Sequence, residues 1–214
     1  MKNIISFIVL ICSVAVILTS CSKDEESTTA ATTTSKTTTT PSGSITMGSY
    51  TASGVYLSSC FYGSSVSTLI SAGSFPSDAQ SFGFAFVVTG DDSFTSETHV
   101  FTDTGCATSS YIGKAVSDNV TVGTASGANY PVTYNEQGAK LTVNTATAET
   151  FLETLYANLG VTVNMTVGTE QAFLSSSATL TYGLWTPGAT TIYLATESTD
   201  STPSTAGAIV YTKE

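Results

Sequence analysis

The chain has 214 residues, 41% hydrophobic but only 10% charged, with 16 acidic side chains against 6 basic and a net charge of −10. That is enough length for one domain with a real core, and too apolar a composition for wholesale disorder. All six basic residues are lysines, so there is no planar fork for bidentate phosphate capture and no positive footprint, which argues against nucleic acid as a partner.

Lys2 and Asn3 form a short positive start, and the mostly apolar run Ile4 to Leu18 follows. This is the anatomy of a secretory signal peptide, too short for a comfortable permanent span. Leu18-Thr19-Ser20-Cys21 resembles the bacterial lipobox. The resemblance implies removal of residues 1–20 and lipidation of Cys21, with membrane attachment through acyl chains. Ser22-Lys23-Asp24-Glu25-Glu26 resembles the surface-export signal of Bacteroidota lipoproteins. That implies an outer-membrane, cell-surface address; a periplasmic orientation and a plain solvated charge cluster are the alternatives.

Thr28 to Thr40 holds nine threonines in thirteen residues, and Pro41 and Gly43 close it. Such a composition buries nothing, so residues 21–45 are expected to be a disordered tether of about 25 Å r.m.s. reach. The dense hydroxyls permit O-glycosylation, and Asp200-Ser201-Thr202 resembles a Bacteroidota glycosylation sequon.

The folded domain is expected over 46–214. Phe82, Phe84, Phe86 and Val88 alternate with Gly83, Ala85 and Val87, a strand with one large apolar face. Gly90 to Ser93 turns the chain, and Phe94 to Phe101 returns as a second strand. Shorter alternations occur at Val120/Val122, Val132/Tyr134, Leu141/Val143 and Ile209/Tyr211. Thr147 to Asn158 instead shows helical spacing, with Thr147 as N-cap, Glu149 in the first turn and Gly160 past the end. Ser64 to Ala72 is a weaker helical segment. Leu180, Tyr182 and Leu184 share a strand face; Pro187-Gly188 then suits the centre of a type II turn, and Ile192 and Leu194 resume the alternation. Many short strands with one amphipathic helix make the class mainly β, an antiparallel barrel or sandwich. Phe82, Phe84 and Phe86, with Leu180, Tyr182 and Leu184, are expected to face inward and nearly fill such a barrel.

Gly48-Ser49-Tyr50, Ser59-Cys60, Phe101 to Cys106 and the closing Val210 to Lys213 resemble bacterial lipoproteins with lipocalin-like barrels. The resemblance implies a lipocalin-like β-barrel and leaves open a small apolar ligand in its interior.

With Cys12 in the signal peptide and Cys21 lipidated, Cys60 and Cys106 remain. In an oxidising compartment they are expected to form a disulfide, with free thiols as the alternative. Two cysteines and one histidine match no zinc spacing, so no metal or cofactor is expected.

Catalytic groups are sparse. His99 is the only histidine and is read as a half-exposed strand residue, since no Gly-x-Ser-x-Gly elbow accompanies it. Asp91 and Asp92 could pair for glycoside hydrolysis or hold Ca²⁺, but adjacent acids in a turn usually cap it. Trp185 and Tyr193, flanking the Pro187 turn, could form a ligand-stacking patch. The favoured expectation is a non-catalytic surface lipoprotein with a structural, adhesive or ligand-binding β domain. The competing one is a surface polysaccharide hydrolase or carbohydrate-binding protein.

Overall fold

The structure, a computed structural model, describes residues 37–195 and 197–214. The expected signal peptide, Cys21 and the first part of the tether lie outside the described residues. The elements in chain order are β1 (Ile45–Met47), β2 (Tyr50–Ala52), β3 (Val55–Leu57), β4 (Phe61–Tyr62), α1 (Ser64–Ser71), β5 (Ser81–Val88) and β6 (Phe94–Phe101). There follow β7 (Ser109–Val122), β8 (Tyr130–Val143), α2 (Ala146–Asn158), β9 (Glu170–Pro187), β10 (Thr191–Leu194) and β11 (Val210–Lys213).

Eight strands form a closed antiparallel barrel, because β3 pairs with β11 on one side and β5 on the other. The β4 strand continues the pairing of β3 along β5, with Phe61 opposite Phe82. The expected phenylalanine ladder is the core. Phe82, Phe84 and Phe86 are 0%, 4% and 0% exposed, and they stand opposite Val100, Thr98 and Ser96 of β6.

The interior holds two apolar clusters. One, toward the helical end, joins Phe82, Phe84, Val100, Tyr111, Leu141 and Val143 to Leu69 of α1 and Leu152 of α2. The other joins Phe86, Val88, Phe94, Tyr134 and Trp185 to Ile45 and Met47 of the β1–β2 hairpin. Gly48 makes that hairpin possible: its φ of +59° suits a two-residue turn that few other residues tolerate.

The expected inward set on β9 is on the wrong face. Trp185 lies in the interior cluster, and side chains alternate, so Thr181, Gly183 and Trp185 point inward. Leu180 therefore points out, and it is 48% exposed. The Pro187-Gly188 turn also shifts. Pro187 pairs with Ile192, and the hairpin closes where the Gly188 N–H donates to the Thr191 carbonyl, leaving Ala189 and Thr190 at its tip.

Helix α2 starts two residues earlier than the spacing suggests. Its N-cap is Thr145, whose Oγ1 accepts from the Ala148 N–H at 3.1 Å and donates to Asp78 Oδ2 at 2.7 Å. Capping there turns Ala148, Leu152 and Tyr156 onto the barrel as one ridge. The weaker helical segment at Ser64–Ser71 is also present as α1.

The tether ends sooner than residue 45. Ser42 donates its N–H to Val88 O, Ser44 donates its N–H to Asp91 Oδ1, and Ile45 and Met47 are buried. Once hydroxyls and backbone groups meet partners on the barrel wall, even a threonine-rich run is ordered against it.

Candidate functional site

Between its two apolar clusters the barrel interior is polar. On β6 the inward residues there are Ser96 and Thr98, on β7 Gly113 and Ala115, and on β9 Thr179 and Thr181. Into this layer β8 places Glu136. Inward parity runs Val132, Tyr134, Glu136, and the register then shifts between Glu136 and Gly138, a bulge of the kind that re-aims side chains.

Glu136 is 2% exposed, and neither carboxylate oxygen has a hydrogen-bond partner. Burial first, and then the charge of Glu197, push its carboxyl up to about 8. Glu197 follows β10 in a break in the strand, just before the Ser198 bridge to Tyr182. Burial raises its carboxyl too, against a hydrogen bond from the Tyr134 hydroxyl. The charge of Glu197 thus adds to the cost of ionising the buried Glu136, while Glu197 itself is half-buried with the Tyr134 hydroxyl hydrogen-bonded to it. Neither was singled out by the sequence. The available signal was Glu136 itself, an acid continuing an otherwise apolar parity; Glu197 carried none, since no alternation surrounds it.

The outer face of β6 carries a second polar cluster. His99 Nε2 lies 2.6 Å from Glu97 Oε2, and the ring stacks on Phe101. His99 is 1% exposed, not half-exposed as expected, because that face is covered. Thr37 and Thr39 donate their hydroxyls to Glu97 Oε1, so the N-terminal segment straps this wall. Burial opposes ionisation of Glu97, but the bond and charge of His99 and the two threonine hydroxyls outweigh it, holding the carboxyl below its ordinary value. The pair has the base and carboxylate of a nucleophilic triad, yet among the described residues the hydrogen bond of His99 goes to Glu97. Alongside, Lys114 Nζ donates to Thr38 Oγ1 and Glu170 Oε2, both at 2.7 Å, and Lys140 lies 3.7 Å from Glu170. Hydrogen bonds and the Lys114 charge hold Glu170 below its usual value despite partial burial.

Cys60 and Cys106 are bonded, with Cα atoms 6.0 Å apart. The bridge ties the β3–β4 edge to the loop after β6, where Asp103 Oδ1 accepts the Gly105 N–H at 2.8 Å. Trp185 and Tyr193 do not form a patch. Trp185 is 3% exposed and lies 5.3 Å from both Phe86 and Phe94. Its register partner is Leu194, while Tyr193 opposes Thr186, so the two aromatics point to opposite faces of the wall. Asp91 and Asp92 sit in the expected turn, where Asp91 receives the Ser44 N–H. Among the described residues no three His, Cys, Asp or Glu side chains come together as a metal-binding group. A groove of about 770 Å³ separates the helices at one barrel end, lined by Ile70, Phe75, Phe151 and Leu155 among others.

No protein-family model matches the chain, and no curated protein matches it either.

Proposed function

We propose that the chain is a lipid-anchored surface lipoprotein, held in the outer membrane through Cys21, whose barrel is a non-catalytic module making its contacts through loops and outer surface. One observation carries the preference for outer contacts. Aromatic rings close the interior ring against ring: Phe61, Phe75 and Phe84 surround Phe82 at 5.0, 5.2 and 5.6 Å, while Tyr134 and Trp185 flank Phe94 at 4.9 and 5.3 Å. A polysaccharide chain needs an open cleft between its two carboxylates, and Glu136 at 2% exposure lacks one. The anchoring part rests on the lipobox resemblance.

The test takes the full chain in an exporting bacterial host. Wild type is expected to label with fatty acid and Cys21→Ala to accumulate as unlabelled precursor, while purified protein takes up no hydrophobic dye stoichiometrically. Equal labelling of the variant would refute the anchor. Stoichiometric dye uptake would make the barrel a carrier, and glycan cleavage abolished by Glu136→Gln would make it a hydrolase.

A further inference from the structure

A buried carboxylate with nothing bonded to it is expensive to ionise, by several kcal/mol even after relaxation. Its charge must be met by a proton or by a cation, and the described residues offer no cation. Lys114 and Lys140 lie on the outer face with Glu170, Lys213 donates to Ser53 Oγ at 3.0 Å, and His99 bonds Glu97. There is no arginine. Among the described residues every basic side chain is therefore engaged away from Glu136 and Glu197.

The surroundings supply oxygen ligands. Ser117 and Thr179 stand on either side of Glu136 in register, and Thr181 stands opposite Tyr134. Ser117 and Thr181 are each 2% exposed. Gly113 and Ala115 keep the neighbouring strand β7 free of bulky inward side chains. Carboxylates and hydroxyls with no imidazole or thiolate among them select a hard cation over a soft one. Two carboxylates balance a double charge.

We propose that Glu136 and Glu197 are the anionic ligands of a divalent hard cation, Ca²⁺ in chemical class, held inside the barrel between the two aromatic clusters. Ser117 and Thr179, in register with Glu136, and Thr181 and Tyr134, one pair along, would supply hydroxyls to the oxygen shell, with retained water filling the remainder. With only two charged ligands, the affinity belongs to the weak class typical of extracellular modules, about 10⁻⁴–10⁻³ M.

The test uses the purified full chain, stripped with EDTA and titrated at pH 7.5 with CaCl₂ and separately with TbCl₃. Ca²⁺ at tenfold excess over its Kd is expected to raise the wild-type Tm by roughly 3–6 °C. Tb³⁺ is expected to luminesce on excitation of Tyr134 and Trp185. Glu136→Gln and Glu197→Gln should each melt no lower than stripped wild type, yet weaken Ca²⁺ binding at least tenfold. Asp91→Asn/Asp92→Asn should leave binding unchanged. The proposal is overturned if neither metal gives a response. It is equally overturned if both glutamine variants retain the wild-type response, or if the aspartate variant loses it.

Discussion

Replacing Glu136 by glutamine in the metal-free protein isolates the cost of the buried carboxyl. In the unfolded chain it titrates near 4.5, and in the folded barrel at about 8. The native state therefore holds a proton that the unfolded state has lost across that interval, and stability falls as pH rises through it. Below pH 4.5 the group costs nothing by this route, and above about 8 the full penalty is present. At about 1.4 kcal/mol per tenfold change in acidity, the window corresponds to on the order of 5 kcal/mol. Glu197, raised in the same direction, shares part of that figure. Tyr134 is the other titratable group facing the pair, and Lys114, Lys140 and Glu170 stand on the outer side of the wall. Glutamine keeps the shape and removes the charge, so Glu136→Gln should exceed wild type by several kcal/mol at pH 9 and lose most of that advantage at pH 5. Urea unfolding in EDTA at pH 5, 7 and 9 measures this. A wild-type stability that is level from pH 5 to 9, or a variant no more stable than wild type at pH 9, would falsify the reasoning.

Phe84→Ala removes a ring packed tilted against Phe61 and edge-on against Phe82 at 6.0 and 5.6 Å and should cost about 3–5 kcal/mol in chemical denaturation; a loss below about 1 kcal/mol would mean that the interior collapses around the gap. Cys60→Ser/Cys106→Ser opens a bridge across a sequence separation of 46, which the chain-entropy relation places at about 4 kcal/mol, checked by comparing denaturation midpoints under non-reducing conditions. Glu97 has a lowered folded value, so its contribution is present above the ordinary carboxyl range and fades as pH falls through the folded one. Glu97→Gln should free the Thr37–Thr40 strap to protease at pH 7, and equal cleavage of variant and wild type would show that the strap is held by other contacts.

The barrel was legible wherever a strand keeps one face in the core. The Phe82 to Val88 run and its partner Phe94 to Phe101 appear where alternation puts them, since period-two burial is a local property. Leu180, Tyr182 and Leu184 alternate equally well yet take the outer face, where Leu180 is exposed and Leu184 is covered, because Thr181, Gly183 and Trp185 occupy the inner face. Alternation names two faces and does not say which is inside. The tether misled for a related reason. A hydroxyl-rich segment has no apolar stripe, so its ordering depends on acceptors contributed by distant strands, here Val88 O and Glu97.

The carboxyl pair was hidden differently. Glu197 sits where the strand after β10 breaks, and breaks leave no periodic trace. Glu136 did leave one, as an acid two residues beyond Tyr134 on the same inward parity. Its meaning comes from the rest of the chain. In a protein with arginines, an inward glutamate is ordinarily matched by an internal ion pair. Here only lysines and one histidine could serve, and those described are committed to Thr38, Glu170, Ser53 and Glu97 on other faces. Among the described residues, nothing then meets the charge of Glu136, which leaves it to a proton or an ion from solution and links the stability of the barrel to the medium around it.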